Sequence, residues 1–245
     1  DCIEVTDMTA RAVAAGECRL TIEGHLDSRS PIDERPEPLD ASREVWVKAS
    51  VGQVWDGTTV APPDFGDGTA EDPFIIKRAD QLAYAVNNNK AGEFYEQLCD
   101  ITLNADVIGR DEIGIGLKDM KQWVVAGDWN ASYDGCGHLI SGAYLVGTNR
   151  HEASLFGHVT AHGSITRVGL VASMMNGLAG GLAYDMDGRL TNCLVQGIYV
   201  SLPLSGNADG RYDRGKGGGI CYAVGPNNPQ ALVEDCISAM FGTTF

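Results

Sequence analysis

The chain is short of aromatic side chains, of positive charge and of long apolar runs, and each shortage excludes something. There are only 6 Phe and 8 Tyr against 31 Gly, which suits slim layers and many tight turns rather than a core of bulky rings. Lys and Arg number 18 against 33 Asp and Glu, giving a formal net charge of −15. A surface this acidic repels phosphates, so nucleic acid is not an expected partner. No run approaches the length of a membrane span, so no transmembrane segment is expected. No basic stretch and apolar stretch follow Asp1, so no signal peptide is expected within these residues. Cysteine is also sparse, at seven, and scattered over Cys2, Cys18, Cys99, Cys136, Cys193, Cys221 and Cys236. Without a C-x-x-C pair, zinc ribbons and thioredoxin-type redox motifs are excluded, and the odd count leaves at least one free thiol.

What the chain has instead is a period. Ile140, Ile165 and Leu190 stand 25 residues apart in LISGAYLVG (139–147), SITRVGLVAS (164–173) and RLTNCLVQG (189–197). A fourth copy, LVEDCISA (232–239), comes later, and extra residues within 202–218 and 225–230 account for its delay. A second strand-like segment precedes each copy: LFGHV (155–159), GLAYDM (181–186) and GICYAV (219–224). A fixed period of this size marks stacked repeats, each burying its apolar side on its neighbours. Short β-rich segments with Gly, Asn and Asp turns predict an all-β chain, a right-handed parallel β-helix of about 25 residues per rung. In that register Ile140, Ile165, Leu190 and Val233 form one inward ladder, with Ala143, Val168, Cys193 and Cys236 beside it. Cys193 and Cys236 should then stack on adjacent rungs, as buried thiols or, at a strand spacing of about 4.8 Å, as a disulfide.

Residues 1–53 read as a small β-rich leader module, apart from the β-helix of 54–245. Alternation places Cys18, Leu20 and Ile22 on one side of a strand and Val45, Val47 and Ala49 on one side of another, with the proline-rich, charged 27–40 as a loop between them. In RADQLAYAVNNN (78–89), Leu82, Ala85 and Val86 share a stripe, which predicts a helix over 79–88. It is expected to plug the open end of the stack as an N-terminal cap. Strands are expected at 95–103 and 122–126.

The segment GDGTAEDPFIIKRADQLAYAV (66–86), followed by YDGCGHLISG (133–142), resembles the opening of the GLUG-motif β-helix proteins, repeat-bearing surface proteins of bacteria. The later SITRVGLV, RLTNCLVQG and LVEDCIS resemble that family's repeats more loosely, and the resemblance covers about 66–241. It departs from the family at the helix N-cap, here Arg78, and in the 202–218 insertion. The resemblance implies adhesion at a cell surface and brings no catalytic motif with it. REVWVKASVGQVWDG (43–57) resembles strands of phage tail and fibre proteins, which gives a runner-up: a tail or fibre protein, expected to be a trimer.

Polysaccharide lyases and hydrolases share the β-helix, and both need carboxylates gathered on one face. Asp185 and Asp187 in YDMDG are the best pair, but Asp-Gly is ordinary turn chemistry and the matching stretches HVTAHGS and AVGPNNP add no carboxylate. DWNASYDG (128–135) sets Asp128, Asn130, Ser132 and Asp134 at alternate positions, like the front half of an EF-hand loop. Tyr133 stands where that loop needs Gly and Leu139 where it needs Glu, so the EF-hand reading fails. A weak surface Ca²⁺ site of those four oxygens remains, the one cofactor in view. His151, His158 and His162 lie within twelve residues, but His158 and His162 flank a turn and no Glu adjoins either as in a zinc-protease helix, so solvated turn histidines are expected. The insertion 202–218 carries Arg211, Tyr212, Asp213, Arg214 and Lys216. An aromatic face among cations suits a sugar with carboxylate or sulfate groups. The expectation is therefore a non-catalytic, extracellular protein of a bacterial surface. It would bind a glycan or a host or bacterial surface protein, with a polysaccharide lyase or hydrolase as a distant alternative.

Overall fold

The computed structural model describes residues 54–105, 120–125, 127–147, 153–176, 179–201 and 218–244, together with the backbone of the strands within 1–53. The chain divides into two compact units, Asp1–Val51 and Gly52–Phe245. In the first, β1 (Ile3–Thr6) pairs antiparallel with β2 (Thr9–Ala12), and β3 (Gly16–Leu26) with β4 (Leu39–Ala49). The β3–β4 register sets Cys18 opposite Val47 and Leu20 opposite Val45, so the apolar positions of the two alternating patterns coincide.

The second unit begins with β5 (Phe74–Ile76), α1 (Ala79–Asn88), β6 (Phe94–Gln97) and β7 (Ile101–Thr102). It continues through β8 (Asp128–Trp129), β9 (Ser132–Asp134), β10 (Leu139–Ser141), β11 (Tyr144–Val146), β12 (His158–Val159), β13 (Ser164–Thr166) and β14 (Gly169–Asn176). Last come β15 (Ala183–Met186), β16 (Arg189–Thr191), β17 (Leu194–Ser201), β18 (Cys221–Val224), β19 (Leu232–Glu234) and β20 (Ile237–Thr244). These strands form three parallel sheets. The first runs β5-β6-β9-β13-β16-β19, the second β7-β10-β14-β17-β20 with β11 also on β14, and the third β8-β12-β15-β18.

This topology corrects the expected fold class. The strands do not form a single all-β right-handed β-helix of uniform 25-residue rungs. Among the described residues they are gathered into three separate parallel sheets of six, six and four strands with one short helix, a sheet-rich arrangement of strands and helix. From β8 onward the chain visits the third, first and second sheets in turn, and one such circuit makes a level. Only some steps keep the 25-residue period, such as Ile165 to Leu190 and Leu170 to Val195. Ile140 does not pair with Ile165. It lies on the second sheet between Ile101 and Leu170, while Tyr133 holds the place beside Ile165. The expected strand at 122–126 is reduced, among its described residues, to one bridge from Gln122 to Tyr144.

Each sheet sends one column of side chains inward. The first contributes Tyr95, Tyr133, Ile165, Leu190 and Val233, the second Ile101, Ile140, Leu170 and Val195, the third Trp129, Val159 and Met186. All but Val233 are buried in one core. Trp129 fills its centre, with ring centroids 5.0 Å from Phe156, 5.5 Å from Tyr95 and 5.9 Å from Tyr133. The edge-on pairs with Phe156 and Tyr133 add about 0.5–1.5 kcal/mol each beyond area burial. The corner from first to second sheet is cut short by one left-handed residue per level: Arg167 (φ 54°), Asn192 (φ 55°) and Asp235 (φ 52°). The next residue, Val168, Cys193 or Cys236, turns back to the core, and Cys193 and Cys236 remain separate thiols. At the first level this corner begins with Gly135, where a Cβ would come within 2.4 Å of the Arg167 carbonyl oxygen.

The two ends of this stack differ. α1 forms over the stretch its apolar stripe marks and buries Leu82, Ala85 and Val86. Gln81 Oε1 accepts a hydrogen bond from the amide of Lys77 (3.0 Å), the residue before the N-cap, while the Arg78 N-cap supplies no side-chain bond. At the other end of α1, the Asn89 amide acts as a stand-in strand. Its Nδ2 donates to Asp128 O (3.2 Å) and its Oδ1 accepts from Asn130 N (2.6 Å), which seals the edge strand β8. On the last level the inward positions are less covered, with Val224 53% exposed where Met186 of the preceding level is fully buried.

Candidate functional site

Alternate residues from Asp128 to Asp134 do face outward, as the sequence pattern requires, but the chain turns a corner between them. Asp128 belongs to the third sheet, Ser132 and Asp134 to the first. Each side chain engages the next level. Asp128 Oδ1 lies 3.3 Å from His158 Nδ1, Asn130 Oδ1 accepts from Thr160 Oγ1 (2.9 Å), and Ser132 Oγ accepts from Ser164 Oγ (3.0 Å). Asp134 takes a two-pronged ion pair from Arg167, with Nε donating at 2.9 Å. Burial works to raise the Asp134 carboxyl, and the guanidinium and the Cys136 amide outweigh it. The four oxygens of the expected Ca²⁺ site therefore do not converge, and each serves as a rivet between levels. Among the described residues no group of three or more His, Cys, Asp or Glu side chains is placed to hold a metal ion.

Asp185 and Asp187 part company. Asp185 is half-buried, whereas Asp187 is buried in the turn after β15. Asp187 Oδ1 accepts the backbone N–H of Asn227 (2.9 Å) and of Asn228 (3.0 Å). Its Oδ2 accepts from Asn227 Nδ2 (2.9 Å) and lies 3.0 Å from His158 Nε2. Burial alone would raise this carboxyl. The Asn227 side chain and amide, His158 and the Asn228 amide more than offset that and hold it well below the usual carboxylate range. His158 is thus no solvated turn residue but a bridge between two carboxylates. His162 is exposed, and His151 lies outside the described residues.

A small cleft of about 120 Å³ opens beside the start of α1, lined by Val54, Trp55, Asp56, Thr59, Arg78, Ala79 and Asp80. Its polar groups are engaged with one another and with Asp64. Trp55 Nε1 donates to Thr59 O (2.8 Å), Asp56 accepts the Thr58 and Thr59 amides, and Arg78 pairs with Asp80 and Asp64.

The proposed ligand residues Arg211, Tyr212, Asp213, Arg214 and Lys216 lie outside the described residues. Their flanks are placed. β17 ends at Ser201 on the second sheet, and Gly218 N donates to Ala179 O (2.9 Å) just before β18 on the third. The same passage one level earlier, from β14 to β15, takes only 177–182.

No family model matches the chain, and no curated protein matches it. One solved structure does, a Bacteroides ovatus protein described as a "putative immunoglobulin A1 protease", at 19% sequence identity and a TM-score of 0.46. The similarity covers 74% of this chain and 50% of that one, so this chain spans half the length of that protein, and a likeness this distant carries no argument about activity.

Proposed function

We propose that this chain is a non-catalytic extracellular protein of a bacterial surface that binds a glycan or a surface protein through the insertion 202–218. The observation that carries this reading is the unequal length of equivalent connections. Residues 177–182 suffice to pass from β14 to β15, whereas 202–220 separate β17 from β18, although the strands on either side stay in parallel register with their neighbours. A stack tolerates such an excursion because loop closure costs grow slowly with length, and excursions from rigid scaffolds are where binding residues concentrate. Here the added residues bring Arg211, Arg214 and Lys216 into a chain of net charge −15, together with Tyr212. Outward groups of the first two levels are engaged with one another, as in Asp128–His158 and Asp134–Arg167. The resemblance to the GLUG-motif surface proteins supports the same reading.

The test is replacement of 203–216 by Gly-Gly in the full chain. Binding to an array of acidic glycans and to bacterial and epithelial cells should be lost, while the melting temperature stays within about 2 °C. Undiminished binding by the shortened chain overturns the assignment to the loop. Cleavage of a polysaccharide by the intact chain overturns the non-catalytic reading, and a trimer in sedimentation favours the tail-fibre alternative instead.

A further inference from the structure

The His158 ring sits between acceptors on both sides. Nδ1 faces Asp128 Oδ1 at 3.3 Å and Nε2 faces Asp187 Oδ2 at 3.0 Å. A carboxylate only accepts, so both contacts are hydrogen bonds only when both ring nitrogens carry protons, in the imidazolium form. Asp187 is the hub beyond it. Its carboxylate and carbonyl together receive four bonds from Asn227 and Asn228, including Asn228 Nδ2 to Asp187 O at 2.6 Å. Those asparagines belong to the 225–230 stretch between β18 and β19, part of the last level. One line of contacts thus runs from β8 through β12 and the turn after β15 to the connection between β18 and β19.

We propose that His158 is a pH-sensitive clasp that fastens the 225–230 connection, and with it the last level, to the levels before it. Among the described residues the titratable groups facing the ring are Asp128 from β8 and Asp187 from the turn after β15. The 225–230 connection brings only the neutral Asn227 and Asn228. In the protonated state the ring neutralises a carboxylate whose side chain is only 4% exposed and holds it in the position the two amides require. When the ring loses its proton, one nitrogen presents a lone pair to a carboxylate. The exposed Asp128 is free to swing away into solvent, and Asp187 keeps its negative charge with no facing cation among the described residues. The Asn227 and Asn228 amides then sit on a less well fixed acceptor. Burial works against the protonated ring, and Asp187 and Asp128 outweigh it, so the ring's midpoint is raised. A raised midpoint makes the clasp complete below the ordinary imidazole value of about 6.5 and progressively lost as pH rises through the folded one.

The test is a pH titration of the full chain by NMR, reading the His158 ring protons together with hydrogen-exchange protection factors at Asn227 and Asn228. The expected result is a ring midpoint above about 6.5 and protection that falls about two- to fivefold through it, the size of a partly exposed ion pair. In His158→Gln, protection should stay at the high-pH level across the range. Should that variant fail to fold, Asp128→Asn replaces an exposed side chain and should lower the ring midpoint while reducing the pH dependence. A ring midpoint at or below about 6.5, or protection at Asn227 and Asn228 that ignores the ring's titration, overturns the proposal.

Discussion

Leu190→Ala tests the register on which the interior rests. Leu190 is fully buried, with Ile165 beside it in the column on one side and Val233 on the other. Its strand is bonded to parallel neighbours on both sides, so the backbone has little room to close over a void. Leu→Ala in such a site costs about 2–5 kcal/mol, and the pinned backbone places this one at about 3 or more. With a urea m-value of about 2 kcal/mol/M, the midpoint of unfolding should fall by about 1.5 M, followed by the near-ultraviolet circular dichroism of the aromatic cluster. The sharper measurement is a pair of double-mutant cycles. Ile165→Val with Leu190→Ala should couple by about 0.5–3 kcal/mol, because the two side chains share a column. Ile140→Val with Leu190→Ala should be additive within about 0.5 kcal/mol, because Ile140 belongs to another sheet, two levels away. Coupling between Ile140 and Leu190 with independence of Ile165 and Leu190 would refute the three-sheet register.

That misplaced isoleucine shows where the sequence stops being informative. Leu139–Ser141, Ser164–Thr166 and Arg189–Thr191 are three-residue strands with the same plan, a central apolar residue pointing inward between two that are exposed or half-buried. Both sheets ask for that plan, so a tripeptide does not reveal which sheet it joins. The count fails at the first level because its steps are longer, Tyr133 preceding Ile165 by 32 residues and Ile140 preceding Leu170 by 30, so that counting back 25 from Ile165 lands on a residue of another sheet. α1 was legible because ten residues with a stripe and a returning Gln81 identify themselves locally. The alternation of Asp128, Asn130, Ser132 and Asp134 was legible too, and the corner that sends them to two sheets was not. Asp187 reads as a turn residue and is one. Its burial comes from the distant 225–230 connection folding over it, and its contact with His158 follows from uneven spacings that no fixed period predicts.

The left-handed corner predicts a simple substitution pair. Asn192→Gly should leave the urea midpoint within about 0.3 M, whereas Asn192→Ala should cost about 1 kcal/mol, because a Cβ without a helpful amide is strained at φ 55°. Equal stability of the two variants would remove the corner from the account of what shapes each level. Asp187 should mark the acid side of stability as His158 marks the other. Its folded carboxyl is held below its unfolded value, so the stability it adds is complete above about pH 4 and is lost as pH falls through the folded midpoint. Asp187→Ala removes the charged acceptor of the Asn227 and Asn228 amides, at about 1.5–3 kcal/mol, the range for hydrogen bonds to an ionised group. The variant should therefore be less stable at pH 7 and should lose less than wild type on acidification to about pH 2, so the two unfolding curves converge there. Exchange at Asn227 and Asn228 should quicken in the variant while the Ile165 and Leu190 amides, deep in the first sheet, keep their protection. Parallel stability curves across that pH range would mean that folding leaves the Asp187 carboxyl unshifted, and the clasp would lose the stabilised carboxylate on which it closes.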